Sequence, residues 1–256
     1  MSNADTPAAL PPHPELPAYY RGDHGKAAFL RRIFDDAAGD YDRVEGVLAL
    51  GSGRWYRRRA LRRAGLHSGM RVLDVAAGTG LVAREALRLV GSTGRVVGVD
   101  PSVGMLRQAA AALPDLRAVL GLGEALPMAD GQFDLVSMGY ALRHLPDLRL
   151  AFAEFYRVLR PGGRLCILEI TRPAGAVGRF LLGGYFKALL PVLSRLTATA
   201  SPQTDTLWRY YWETIDHCVA PEVVMQSLRD AGFGDVRRIV SLGLFWQYTA
   251  IRPDGE

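Results

Sequence analysis

From residue 27 to 66 the apolar positions recur at helical spacing, broken near Gly51-Ser52-Gly53. Beyond that point short apolar runs alternate with helical stretches. Arg71–Ala76, Arg95–Asp100, Leu116–Leu120, Phe133–Gly139 and Arg164–Ile170 read as strands. Gly80–Val90, Ser102–Leu113 and Leu148–Leu159 read as helices, with Ser102 an N-cap and Pro161-Gly162-Gly163 a stop. Such alternation predicts a parallel sheet with helices on both faces. The chain closes differently. A helix over Pro221–Ala231, ended by Gly232, precedes two apolar runs, Val236–Leu242 and Leu244–Ile251, parted only by Gly243. Strands that close in sequence pair antiparallel. The expected class is therefore α/β: a doubly wound sheet with an antiparallel last strand.

Residues 172–204 interrupt this alternation. The segment carries Arg172, Arg179, Lys187 and Arg195 and no acid. Phe180, Leu181, Tyr185, Leu189, Val192, Leu193 and Leu196 are spaced so that most share one helical face. A lid helix packed on the core, a cover over an apolar substrate and a membrane-facing surface all fit.

Composition narrows the class. Of 256 residues 49% are hydrophobic, enough for a substantial core, yet no run approaches the ~18 apolar residues of a membrane-spanning helix. No basic start with an apolar block marks a secretory leader, so a cytoplasmic protein is expected. Residues 1–20 are rich in Pro and Ala. The segment 1–26 is expected to be disordered, leaving one domain over 27–256 with a helical cap at 27–66. Cys166 and Cys218 read as reduced packing residues, and five scattered His offer no metal-binding pattern. The net charge is +5, and Arg54, Arg57, Arg58, Arg59, Arg62 and Arg63 crowd one helix. A solvated helix face or peripheral contact with an anionic membrane accounts for them. No nucleic-acid reader motif accompanies them, so nucleic acid is not an expected partner.

The candidate chemistry sits at residues 71–80, Arg-Val-Leu-Asp-Val-Ala-Ala-Gly-Thr-Gly. A strand runs into a glycine turn and then a helix, whose first N–H groups lack intrahelical partners. Gly78-x-Gly80-x-x-Ala83 also fits the dinucleotide fingerprint. Asp100, at the end of the next strand, stands where an acid meets ribose hydroxyls. A nicotinamide and S-adenosylmethionine both present such hydroxyls. Asp74 separates them: a carboxylate in the turn repels a pyrophosphate and suits the sulfonium and amino group of S-adenosylmethionine.

Further segments carry a resemblance. They are Phe34-Asp35 with Tyr41-Asp42, the run from Val72 to Gly80, and Val99-Asp100-Pro101-Ser102 with Met105. Glu124 to Met128, Phe133-Asp134, Leu142-Arg143 and Tyr156 to Gly163 follow. Leu168-Glu169-Ile170 with Arg172-Pro173, Trp212 to Ile215, and Ala231 to Phe233 complete the set. Over roughly residues 29–251 the chain resembles class I S-adenosylmethionine-dependent methyltransferases. Within them it is similar to the family that C-methylates ubiquinone and menaquinone precursors. The resemblance implies a Rossmann-like, seven-stranded sheet and S-adenosylmethionine as cofactor. It implies that Ala76, Gly78, Thr79 and Gly80, with Asp74 nearby, line the methionine part. Asp100 would take the ribose, Met105 would pack near the adenine, and Leu122, Gly123 and Glu124 would lie at the adenine edge. Gly139 would lie beside the methyl group and Tyr41 would close over the cofactor. Three positions depart from the family. Leu122 cannot accept a hydrogen bond where an Asp or Asn is usual, Leu81 replaces an acid, and His144 replaces an asparagine.

For a ring carbon, the nucleophile strengthens when a neighbouring phenol ionises, and a cation stabilises the phenolate. Arg143, a permanent charge with a rigid donor fork, is the candidate cation. His144 is the candidate base or relay. The expected acceptor is a small molecule, with a polyprenylated quinol the leading candidate. An O- or N-methyltransferase of another small molecule, and a non-catalytic S-adenosylmethionine-binding protein, are the rivals.

Overall fold

The computed structural model describes residues 9–39, 41–48, 52–171, 173, 175–192, 202–241 and 243–255. Seven strands form one sheet in the order β3-β2-β1-β4-β5-β7-β6. Strands β1 (Arg71–Val75), β2 (Arg95–Asp100), β3 (Leu116–Leu120), β4 (Phe133–Gly139) and β5 (Leu159–Ile170) run parallel. Strand β7 (Phe245–Ile251) lies between β5 and β6 (Gly234–Ser241), antiparallel to both. The short link at Gly243 thus makes the expected hairpin.

Helices cover both faces because the central strands are apolar on both. Val72, Leu135 and Leu168 face Val82, Ala83 and Ala86 of α4 (Leu81–Val90) and Leu61 of α3 (Gly53–Arg63). Leu73, Val136 and Ile167 face Phe152 and Phe155 of α6 (Leu148–Val158). Helix α5 (Val103–Ala112) begins at Ser102, whose hydroxyl accepts the Met105 N–H at 3.0 Å as an N-cap. A third core is aromatic. Phe29 of α1 (Gly22–Ala37), Phe186, and Trp208, Tyr210 and Tyr211 of α8 (Pro202–Asp216) fix the N-terminal helices and lid beside the sheet.

Four expectations change. First, the segment before residue 27 is ordered from residue 9. The Leu10 carbonyl accepts the Leu148 N–H at 3.0 Å, the Pro12 carbonyl accepts the Val219 N–H at 2.8 Å, and His13, Leu16 and Tyr20 are buried. A proline-rich strap has no helical period, but its carbonyls satisfy amides that the domain leaves open. Residues 1–8 lie outside the described residues. The helical cap is three helices, α1, α2 (Tyr41–Leu48) and α3, and Gly51 is outside the described residues. Second, β5 starts at Leu159. Its register against β4 shifts between Phe133 and Leu135, so Pro161-Gly162-Gly163 is a bulge within the strand.

Third, the apolar face of the lid is mostly turned outward, which departs from a lid packed on the core through that face and leaves the membrane-facing reading open. Helix α7 (Ala176–Gly184) passes into a π-helical turn (Tyr185–Leu189). Gly183, Phe186 and Leu190 turn inward, whereas Phe180, Leu181, Leu189 and Val192 are exposed. The missing side chain at Gly183 lets this helix approach Trp212: a Cβ there would stand 3.1 Å from that ring. Arg172, Leu193, Arg195 and Leu196 lie outside the described residues. Fourth, the arginine helix is a solvated face only in part: Arg54, Arg59, Arg62 and Arg63 are exposed, yet several of its arginines are engaged with the domain. Arg54, Arg58 and Arg88 converge on the buried Glu85 carboxylate, Arg63 donates to Gln247 at 3.2 Å, and Arg57 is itself buried. No described helix is long and apolar enough to cross a membrane.

Candidate active site

The strand order reverses between β1 and β4, and there ligand crevices form in open parallel sheets. Two non-glycine residues are held in the left-handed region at this point: Ala76 after β1 (φ +53°) and Tyr140 after β4 (φ +61°). Strained backbone of this kind collects at functional sites. The Tyr140 N–H is tied to the Leu168 carbonyl at 2.7 Å and the Ala77 N–H to the Val99 carbonyl at 3.0 Å, so neighbouring strands hold both turns.

Two connected hollows open on these residues. The larger, about 410 Å³, is lined by Asp100, Met105, Leu122, Gly123 and Glu124, and roofed by Lys26 and Phe34 of α1. The smaller, about 90 Å³, lies deeper and is lined by Asp74, Thr79, Arg57, Arg143 and Tyr211. Tyr41, Ala76, Gly78, Gly139 and Tyr140 border both. Every candidate residue therefore reaches a hollow except Gly80. Its two neighbours in the turn differ in kind. A Cβ at Gly78 (φ +56°) would meet no protein atom within 4 Å, so the bare backbone faces the cavity. A Cβ at Gly80 (φ +86°) would stand 2.6 Å from Leu113. Gly80 caps α4 and permits close packing, and it does not line the cavity as expected.

The acids are placed by backbone. Asp100 accepts the Gly78 N–H at 2.8 Å on one oxygen and the Ser102 N–H at 2.8 Å on the other. Burial nonetheless pushes its pKa up to about 6. Asp74 is buried at 1% exposure; Oδ1 accepts the Ser137 hydroxyl at 2.7 Å and Oδ2 has no hydrogen-bond partner. Burial pushes its pKa up to about 7, against the pull of Ser137. The Thr79 hydroxyl donates to Asp42 of α2. Asp35 accepts from the Ser102 hydroxyl at 2.5 Å and the Gly104 N–H at 2.8 Å, which fastens α1 over the larger hollow.

Arg143 and His144 share a 3₁₀ turn (Leu142–His144) and diverge. Arg143 borders the inner hollow, fully buried, ion-paired to Glu169 and 5.0 Å from the Tyr211 ring centre. Burial works against its charge, but the Glu169 carboxylate holds its pKa above the ordinary value. His144 borders the larger hollow, stacked on Tyr210 with Nδ1 3.3 Å from the tyrosine oxygen and edge-on to Phe34. Burial first, then the charges of Arg143, Lys26 and His13, press its pKa well below 6.5, so the ring is neutral.

Sequence reasoning missed Arg57, Tyr140 and Lys26. Arg57 had a signal: it shares a helical stripe with Ala60, Leu61 and Ala64, all buried. Tyr140 and Lys26 had none, because their roles come from pairing across the sheet and from α1 crossing the cavity. Lys26 donates to the Leu145 carbonyl at 2.9 Å, and burial brings its pKa down to about 8.

These donors fit S-adenosylmethionine. The inner hollow brings a carboxylate with an unsatisfied oxygen, Asp74, together with a cation, Arg57, the complement of an amino acid bearing a sulfonium. The outer hollow offers Asp100 for hydroxyls and apolar walls for a base. The comparisons agree. The model of the ubiE/COQ5 methyltransferase family matches residues 23–244. The chain is 34% identical over 235 residues to demethylmenaquinone methyltransferase of Symbiobacterium thermophilum, covering 89% of this chain and 90% of that one. It is 33% identical over 213 residues to ubiquinone/menaquinone biosynthesis C-methyltransferase UbiE of Hahella chejuensis, covering 81% and 84%. A SAM-dependent methyltransferase from Aquifex aeolicus shares the fold, with TM-score 0.56 and 21% identity over 77% of this chain and 89% of that one. With its sheet order, its paired hollows and these matches, the chain belongs to the ubiE/COQ5 methyltransferase family and is an S-adenosylmethionine-dependent methyltransferase.

Proposed function

We propose that the protein C-methylates a quinol precursor of ubiquinone or menaquinone. The names of its relatives support the acceptor class. One observation supports the chemistry: Arg143, locked by Glu169, faces the inner hollow across from Ala76, Gly78 and Gly139.

S-adenosylmethionine supplies a methyl group already activated by its sulfonium. Asp74 and Arg57 hold the amino-acid end, Gly78 and Thr79 shape its turn, and Asp100 takes the ribose. Met105, Leu122 and Gly123 hold the adenine, with Glu124 accepting at its edge in place of the acid that Leu122 lacks. Tyr41, whose hydroxyl lies 3.1 Å from that of Tyr211, closes the junction of the two hollows. Arg143 stabilises the ionised ring oxygen, which raises electron density at the adjacent carbon. Holding that carbon in line is worth several powers of ten in rate. A ring C–H becomes C–CH₃ and one proton is released. Neutral His144, bordering the larger hollow, is the base or relay proposed for that proton on its way to solvent.

The exposed apolar side of α7, with Val177, Phe180 and Leu181 outward, is read as a peripheral contact with the membrane that holds such an acceptor. Flotation with acidic liposomes tests it: Phe180→Ser is expected to release the protein, and flotation unchanged by this substitution counts against the contact.

The acceptor is tested by methyl transfer from labelled cofactor to demethylated quinols and to small phenols, with product mapping. Label on a ring carbon of the quinol is the expected outcome. Label on oxygen or nitrogen, or on small phenols alone, replaces this reading with the O- or N-methyltransferase one.

A further inference from the structure

Lys26, in the roof of the larger hollow, is a buried cation with unspent donors. It is 5% exposed, whereas Asp23, His24 and Arg31, which border the same hollow from α1, stand exposed at its rim. An ammonium taken out of water needs partners. Nζ is a triple donor, and its one hydrogen bond among the described residues runs to the Leu145 carbonyl at 2.9 Å. Burial brings its pKa down to about 8, so at pH 7 the head is still an ammonium. Two of its three donors are therefore available to whatever fills the hollow.

The position of Lys26 selects the ligand group. Leu145, whose carbonyl it meets, packs on Gly123: a Cβ at Gly123 would stand 3.1 Å from the Leu145 side chain. Lys26 is thus joined through one residue to the turn at the adenine edge. In that turn the Ala125 N–H donates to the Leu122 carbonyl at 3.3 Å, and Glu124 stands within it. Lys26 and Glu124 both line the larger hollow, one from α1 and one from the turn. The Glu124 charge favours the ammonium, yet no ion pair among the described residues joins the two heads. The edge of adenine presents an amino donor, N6–H, beside a ring acceptor, N1. A carboxylate near an ammonium is the complement of that pair, and Leu122 supplies neither half.

We infer that Lys26 donates to N1 of the cofactor's adenine while Glu124 accepts from its N6 amino group, so that a helix outside the sheet takes part in reading the base. The inference rests on the placement of adenine in the larger hollow and is independent of the acceptor's identity. Calorimetric titration of the full chain with S-adenosylhomocysteine and its 1-deaza analogue tests it without turnover. The analogue carries C–H in place of N1. The wild type should bind it about tenfold more weakly, the scale of one hydrogen bond from a charged donor. Lys26→Met should weaken S-adenosylhomocysteine by a similar factor and erase the preference between the two ligands. Lys26→Gln, which keeps a neutral donor, should retain part of it. The preference is a ratio within each protein, so a general loosening of α1 does not imitate its loss. A wild type that does not distinguish the ligands, or a preference at full strength in either Lys26 variant, overturns the role of Lys26; the adenine placement then still stands where Glu124→Gln weakens binding. Affinity for S-adenosylhomocysteine unchanged by Lys26→Met and by Glu124→Gln overturns both.

Discussion

The cofactor half and the lid half of this protein are built on opposite plans. Around β1, β2 and β4 the groups facing the hollow are backbone turns and short acids, each placed by neighbours within the sheet. Asp100 is held by two amides, and the Ala76 and Tyr140 turns are tied to adjacent strands. In the lid half, large aromatic side chains from α1, the π turn and α8 pack on one another. The first plan gives a rigid, charge-specific cradle. The second gives an apolar surface. In the first, the buried Asp74 carboxylate keeps one oxygen without a hydrogen-bond partner, facing the hollow's cation Arg57.

The substitution that should separate the halves most sharply is Arg143→Met. It is made with Glu169→Gln, because an unpaired buried Glu169 would itself cost about 3–5 kcal/mol of stability. Turnover should fall about 10²- to 10³-fold, the scale of losing one charge-stabilising donor, while cofactor affinity persists. Single-turnover kinetics and calorimetric titration check the two parts; lost cofactor binding would move Arg143 into the cofactor half.

Asp74→Asn should do the reverse. Cofactor affinity should fall about 100-fold, as expected when one partner of a buried charge pair is truncated. The apo protein should melt higher, because a carboxyl whose folded pKa is raised destabilises the fold increasingly as pH climbs from the carboxylate range to about 7. An unchanged melt would show that the native acid carries no such cost.

A smaller effect follows from the same group. The cation-binding form of Asp74 is ionised, so affinity for S-adenosylmethionine should weaken below pH 7, by up to about tenfold per unit, with proton release on binding. Asp100, with a pKa of about 6, adds to this on the acidic side. S-adenosylhomocysteine, which lacks the sulfonium, should show a weaker dependence. Titrations in buffers of different ionisation enthalpy read the proton count directly. Smallest is Asp35→Ala, which releases α1 from Ser102 and Gly104. About 1–2 kcal/mol of stability and a fall of roughly 2–8 °C in Tm are expected, with cofactor affinity reduced less than by Asp74→Asn.

The two halves also differ in how far they could be read beforehand. Strands β2, β3 and β4 lie at their expected bounds, because a buried strand announces itself as a local apolar run. Asp74, Gly78 and Asp100 were legible because a turn is specified by adjacent residues. Gly80 alone among the candidates lines neither hollow, and what it meets, Leu113, is 33 positions away. Which face of the lid is buried was not legible for a related reason. Phe180 and Leu181 look like core residues, yet Phe186 and Leu190 are buried, since Gly183 sets which face meets Trp212. The strap at residues 9–21 has no helical period to announce it; its order comes from carbonyls that complete the start of α6 and the chain before α9 (Pro221–Asp230).

By itself, the sequence determined the alternating architecture, the cofactor turn and the charge type of its ligand. All three depend on contacts among residues within one strand–turn–helix unit. Only the tertiary structure decided that Arg143 and His144 face different hollows, and that Arg57 points inward while its neighbours pair with Glu85. Those outcomes depend on which distant elements pack together, and hydrophobic burial, being non-directional, writes no local signature of its partner.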